Sequence, residues 1–467
     1  MGWSLAQILA ATGGKLGRAG KRSRYGAVVT DSAKAKKGSV FVALKGERLD
    51  GHRFVGDAVR RGAACVIAHC ALARSAVGAA TVVRVADTLR ALGGLAHFRR
   101  QQLAPKVLAI TGSNGKTTTK EMLAAILEEA SLDGQALRGK ILKTEGNFNN
   151  LVGLPLTLLR LRKQDKVAVV ELGTNHPGEI QRLAEIADAD LAIITSVAAA
   201  HLEGLHSLAG VAREKGAIYR NLRAGGAIAV NLDDPWVSRL GARFKGKKFT
   251  YGVRGHLRAQ NLKLRNADGV RFTLRAGERR CPVRLNYLGQ HNVANALGAA
   301  ALALAAGASL AAVRRGLAKA KPYAMRMQID NWRRIRIIND AYNANPASMQ
   351  AALKTLAEMP SHGKKLAVLG DMFELGRHSR RQHWELGKTA AKAKLDQLYL
   401  LGAQANAVRR GALSSGMAAA KIIVAKDHGE IATRLSERAQ AGDWLLVKGS
   451  RGMKMEKVLD QLTRGKA

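Results

Sequence analysis

The sequence predicts an α/β protein of three domains. They are a small N-terminal α/β module (1–104), a central mainly parallel sheet built on a P-loop with a β-hairpin insertion (105–320), and a C-terminal dinucleotide-fold-like open sheet (321–467). Three observations carry this expectation. The 467 residues exceed what one hydrophobic core usually serves. From residue 106 onward, short apolar runs alternate with segments of helical period, the pattern of a mainly parallel sheet covered on both faces. Ala104-Pro105 ends a helical pattern and Lys321-Pro322 precedes another block, each a place where proline disfavours helix in the residue before it.

In the first module the runs Val40 to Leu44, Cys65 to Ala68 and Thr81 to Val85 read as strands, with helical segments at Phe54 to Arg61 and Thr88 to Gln102. The central block gives VLAIT, a helix from about Lys116 to Ala130, then VAVVEL, LAIITS and AIAVN. Period-two segments flank Asn266-Ala267-Asp268-Gly269, which predicts the hairpin, and a helix from Asn292 to Ala306 closes the unit. RIRIIND, KLAVLGD, QLYLLG, KIIVA and DWLLVKG supply the strands of the third block.

Composition narrows the function classes. No stretch reaches about 18 uninterrupted apolar residues, so neither export nor a membrane span is expected. Three cysteines without paired spacing fit a reducing, cytoplasmic setting. The net charge of +41 suggests a polyanion, yet Lys and Arg are spread along the whole chain and no aromatic-rich motif accompanies them. A generally basic surface, or a field that attracts an anionic nucleotide, is therefore expected rather than specific nucleic-acid recognition.

The chemistry begins at the end of the strand Val107 to Thr111, where Gly112-Ser113-Asn114-Gly115-Lys116-Thr117-Thr118 leads straight into a helix. Glycines let backbone N–H groups turn inward, the helix N-terminus adds partial positive charge, Lys116 neutralises terminal phosphates, and Thr117 offers a hydroxyl to Mg²⁺. The longer P-loop would need glycine where this chain has Ile110, so the loop is the short G-x-x-G-K-T form. Glu171 ends a neighbouring strand, where a metal-side acid belongs, although a carboxylate there is also often merely solvated. His201 lies on the same sheet edge, and on chemistry alone it is as readily structural as a ligand.

Taken together, TGSNGKTTTKEM, TEGNFNNLVGLPLTLL, ELGTNHPGEI, HLEGLHSLAGVAREKGAIY, YLGQHNVANALGAAALA, INDAYNANPASMQAAL, VLGDMFELG and VKGSRGMKMEKV, in this order, resemble the Mur ligase family over nearly the whole chain. The resemblance implies an ATP- and Mg²⁺-dependent ligase that activates a carboxylate as an acyl phosphate and joins it to an amine. NDAYNANP and GDMFELG point to the dipeptide-adding type, whose substrates would be UDP-N-acetylmuramoyl-tripeptide and D-alanyl-D-alanine, acting as a monomer. A related ligase, a folylpolyglutamate synthase-like enzyme and a basic P-loop nucleic-acid-binding ATPase are the alternatives.

By matching positions, the resemblance implies Lys116 and the loop backbone for ATP phosphates, and Thr117, Glu171 and His201 for Mg²⁺. Lys215 would be carbamylated so that it meets the metal as an anion. Asn292 and Asn295 would lie near adenine and ribose, with Arg326 and Asp340 reaching the nucleotide from the third domain. Ser32, Lys45 and the Asp50-Gly51-His52 turn would recognise the uridine nucleotide, and Thr144, Asn147, Asn149 and Asn150 would line the path to the reacting carboxylate. Asp371, Glu374, Lys448, Ser450 and Arg451 would lie near the incoming dipeptide. Ala33, Ala217 and Met325 depart from the family pattern, in which arginine, glutamate and glycine are usual.

Overall fold

The computed structural model describes residues 2–47, 49–264, 269–360 and 362–464. Three main sheets follow one another along the chain, each flanked by helices. The first has the order Lys15–Arg18, Thr81–Arg84, Cys65–Ala68, Val40–Val42, Val28–Val29, with every pair parallel except the first. The helix Thr88–Leu103 starts where the Asp87 carboxylate accepts the N–H groups of Leu89 and Arg90, and it stops at Ala104, which takes a left-handed conformation before Pro105. Arg100 on this helix is almost fully buried and donates to the carbonyls of Ala187 and Asp188 and to the Asp190 carboxylate, tying the first unit to the second.

The central sheet has nine strands. Seven are parallel, in the order Ile141–Lys143, Val167–Glu171, Lys106–Thr111, Leu191–Ile194, Ala227–Asn231, Lys247–Tyr251, Leu257–Leu264; Val270–Ala276 and Arg279–Leu285 then pair antiparallel. The period-two segments form the expected hairpin, and with a third strand they make a meander that prolongs the main sheet. Asn266, Ala267 and Asp268 of the expected turn lie outside the described residues. Ile110 is fully buried inside the strand Lys106–Thr111, between Glu171 and Ile193 on its neighbours. This is why the phosphate loop starts only at Gly112.

Helix Gln290–Ala306 packs on this sheet with Ala299, Ala300, Ala301 and Ala303 fully buried, their short side chains allowing close approach. A further helix, Leu310–Lys319, was not legible in the sequence. The third sheet runs Gln328–Trp332, Ile335–Asp340, Trp444–Lys448, Lys365–Gly370, Gln397–Leu401, Ile422–Val424; the first of these, antiparallel and also unanticipated, forms an edge. One hydrophobic cluster runs from Val170 and Ile194 to Ile338 and Met349, so the second and third units share packing.

Candidate active site

The carboxyl ends of the central strands face those of the third sheet across a cavity of about 510 Å³. Gly112 and Gly115 have φ of 152° and 82°, and a Cβ at Gly115 would stand 2.2 Å from Asn295 Oδ1. The loop therefore depends on glycine both for its backbone and for close contact with the helix that carries Asn292 and Asn295. Lys116 Nζ donates to the Gly112 carbonyl at 2.8 Å, curling over the loop.

Glu171 is the hub of the polar network. Its carboxylate accepts from Thr117 Oγ1 at 2.9 Å and from Asn149 Nδ2 at 2.8 Å, while its N–H donates to Thr144 Oγ1. Lys215 comes from the helix Leu208–Arg220 and is buried. Burial, and then the nearby Lys116 charge, pull its pKa down to about 7 against the opposing pull of Glu214. The Glu214 carboxylate is itself committed to the N–H groups of Gly178 and Ile180 at the start of the helix Glu179–Ala187. Lys116 is likewise shifted down by burial, with Glu171 opposing and Arg326 adding.

The third unit supplies the far wall. Lys448 Nζ meets Asp340 Oδ2 at 2.5 Å and the Asn343 carbonyl at 2.9 Å; the two residues are register partners on adjacent parallel strands. The Arg326 guanidinium lies 4.0 Å from the centre of the Tyr342 ring, and its buried Nε has no hydrogen-bond partner among the described residues. Asn345 donates to Asn114 Oδ1 at 2.8 Å, and His201 Nδ1 lies 2.5 Å from Glu374 Oε2. The hydrogen bond from His201 holds the Glu374 carboxyl below the usual range.

Of the residues expected from sequence, Ser113 through Thr118, Asn147, Asn149, Glu171, His201, Asn292, Asn295, Arg326, Asp340, Glu374, Lys448 and Arg451 line this cavity. Gly112 and Lys215 do not line it, but Gly112 accepts from the lining Lys116 and Lys215 feels the Lys116 charge. Others do different work. Thr144 props Glu171, and Asn150 accepts the N–H groups of Val152 and Gly153. The Asp371 carboxylate accepts the Gln404 N–H, and Ser450 Oγ accepts that of Phe373. Ser32 bonds Asp57, and Lys45 bridges Asp50 through the backbone, both in the first unit and off the cavity.

Sequence reasoning missed His291, whose pKa burial drives down to about 4, so that it stands neutral on the cavity wall beside Asp340 and Lys448. It also missed Asn345 and Tyr342. All three lie in segments the motifs cover, and the signal was a polar or aromatic residue beside an already assigned one.

Residues 24–100 match the Mur ligase family, catalytic domain; residues 110–303 match the Mur ligase middle domain; and residues 325–451 match the Mur ligase, glutamate ligase domain. The chain is 38% identical over 447 residues to UDP-N-acetylmuramoyl-tripeptide--D-alanyl-D-alanine ligase of Escherichia coli, covering 93% of each. It is 35% identical to the protein of the same name from Bacillus subtilis, covering 93% of this chain and 92% of the other. Among solved structures it is similar to MurF from Acinetobacter baumannii, with a TM-score of 0.90, 34% identity and 99% of each chain covered. It is also similar to the MurF ligase from Thermotoga maritima in complex with ADP, with a TM-score of 0.83, 29% identity, and 94% and 97% covered.

Proposed function

The chain belongs to the Mur ligase family, and from that membership we infer how the cavity divides the work of ligation among its side chains. It is an ATP-dependent, ADP-forming ligase that adds D-alanyl-D-alanine to UDP-N-acetylmuramoyl-tripeptide. The observation that carries the assignment of roles is the position of Lys116 among Arg326, Lys215 and the Glu171 carboxylate. Three cations from separate elements repel one another unless an anion lies among them, and a triphosphate is such an anion.

Mg²⁺ fits the oxygen donors Thr117 and Glu171, with His201 on the same edge, and the unpartnered Arg326 Nε fits a phosphate oxygen. When bound, the metal offsets phosphate charge. Lys215 joins this set once its amine, which burial makes easier to deprotonate, has become a carbamate. The loop N–H groups and Lys116 hold the β- and γ-phosphates, and Arg326 balances charge on the phosphoryl in transit.

The terminal carboxylate of the UDP-N-acetylmuramoyl-tripeptide attacks the γ-phosphorus. A new O–P bond forms, the bond to ADP breaks, and an acyl phosphate results. The dipeptide amine then adds to the carbonyl, loses its proton, and inorganic phosphate leaves. Asn345 on Asn114 and Glu374 on His201 draw the third unit over the loop and keep water from the acyl phosphate.

The first unit receives the uridine nucleotide near Ser32 and Lys45, and Asn147, Asn149, Lys448 and Arg451 stand along the path of the peptide and the dipeptide. We place the domain limits at 1–104, 105–320 and 321–467. The enzyme works as a monomer in the cytoplasm, where its nucleotide substrates are found. Among the described residues no helix is long and apolar enough to cross a membrane.

The test is ADP release with Mg²⁺-ATP and UDP-N-acetylmuramoyl-tripeptide, with the dipeptide present, omitted, or replaced by single amino acids. Turnover with the dipeptide and a pentapeptide product by mass is expected. Turnover only with another amine would change the substrate, and ATP hydrolysis stimulated only by nucleic acid would replace the reading.

A further inference from the structure

Ligation at the cavity leaves the charge of +41 without a role, and the register of the antiparallel meander shows where part of it gathers. Across the strands Leu257–Leu264, Val270–Ala276 and Arg279–Leu285, Lys263 pairs with Arg271 and Arg271 with Arg284. Two pairs further along, Arg258 faces Arg275 and Arg275 faces Arg280. Directly paired residues share a face, so six cations form two cross-strand rows with Gln260, Thr273 and Pro282 between them. The opposite face carries Leu257, Val270, Phe272, Leu274, Val283 and Leu285, all buried against the core.

The rows lie about 13 Å apart and each spans about 10 Å, from the usual rise and strand spacing. Five of the six cations are exposed and Arg275 is partly so. The described carboxylate near them is Glu278, in the turn, 3.7 Å from Arg275. Like charges directly opposite across strands destabilise a sheet. None of the six lines the cavity, so nucleotide binding does not relieve them.

We propose that this face docks on an anionic lipid bilayer. The platform is one face of a sheet, two-dimensional in its charge, and meets a planar array of phosphate headgroups without a groove to follow. Arginine stems reach such headgroups while the guanidinium forks bond phosphate oxygens. On the neighbouring strand Lys248 has the parity of the platform face and is exposed, and Leu262 and Val253 are exposed aliphatics nearby. The described residues of the face include no aromatic on which a nucleic-acid base would stack.

The experiment is co-sedimentation of the full chain with phosphatidylcholine vesicles, with and without phosphatidylglycerol, at physiological salt. Binding only to the anionic vesicles is expected. Each cation removed should weaken it about fivefold, so Arg271→Glu, Arg275→Glu and Arg284→Glu together should weaken it by about a hundredfold or more. A control triple of exposed residues in the third unit, Arg409→Glu, Arg410→Glu and Lys426→Glu, should bind within about fivefold of the parent. Both variants should keep ligase turnover and thermal midpoint; if the first unfolds, the same positions changed to Gln serve. Absence of binding to anionic vesicles, or equal loss in both triples, overturns the proposal. So does a nucleic-acid duplex that displaces the vesicles and binds more tightly.

Discussion

His201 and Glu374, 173 residues apart in the chain, meet at 2.5 Å across the seam between the central and C-terminal units. Both adopt left-handed backbone conformations, with φ of 55° and 62°. The Glu203 N–H also donates to the Glu374 carbonyl, so the contact is held by backbone as well as by charge.

Glu374→Ala removes the carboxylate but not that backbone contact. With Glu374 about half exposed, the pair contributes about 1 kcal/mol after screening. The KM for D-alanyl-D-alanine should rise about fivefold with kcat within a factor of about two, as measured by ADP release. The carboxyl is shifted down, so its contribution holds above its ordinary pKa and disappears as pH falls through the lowered value. An unchanged KM would mean the latch is inert.

Lys215 makes two predictions of opposite reach. Only a neutral amine adds CO₂, so carbamate formation should decline as pH falls through about 7. Lys215→Ala should lower kcat by about a hundredfold or more, with partial rescue by short carboxylic acids. For stability, the unfolded lysine binds a proton between pH 7 and 10.5 that the folded one has lost. In the uncarbamylated protein stability therefore rises with pH across that window, and Lys215→Met should flatten the slope in urea unfolding. Full activity of the alanine variant without rescue would sink the catalytic role.

Much of this site was legible because its parts are local. A strand, two glycines, a lysine and a helix start are adjacent in sequence, and so is Glu171 at the end of its strand. What escaped depends on distance through space. Nothing near Glu214 announces that it caps the helix Glu179–Ala187, and nothing near Asp371 says that its carboxylate turns to the Gln404 N–H rather than to the cavity. The alternation from Leu262 to Val283 announced strands, but a period of two cannot say which sheet they extend.

Gly115→Ala tests the loop against its own backbone cost. The new methyl group would meet Asn295 Oδ1 at 2.2 Å and would also occupy a φ of 82°. Gly225→Ala has a similar φ of 77° with nothing within 4 Å, so it isolates the conformational term. Both should lose about 1 kcal/mol of stability. Only the first should weaken ADP binding by tenfold or more, roughly, in calorimetry. Equal ADP affinities would remove Asn295 from the account of the loop.

Glu171→Gln keeps the shape of the hub and removes its charge. Thr117 and Asn149 would keep a partner of the same size, while a hard cation would lose its anionic ligand. The Mg²⁺ concentration for half-maximal turnover should rise about tenfold or more, with the thermal midpoint nearly unchanged. A Mg²⁺ requirement equal to the parent's would place the metal elsewhere.

Arg326→Lys preserves charge and discards geometry. The guanidinium is stacked 4.0 Å from the Tyr342 ring centre with a buried, unpartnered Nε, an arrangement that costs stability until an anion fills the donor. Lysine offers neither the stacked plane nor the fork, and its ammonium is mobile at this distance. If Arg326 acts on the phosphoryl group in transit, kcat should drop by about a hundredfold while the KM for ATP changes little, because the lost interaction belongs to the transition state. If it serves only to hold ATP, KM should rise and kcat stay. Removing the orphaned Nε should leave the thermal midpoint equal or higher, so a large fall in stability would mean that the arginine is a packing residue and not an electrostatic one.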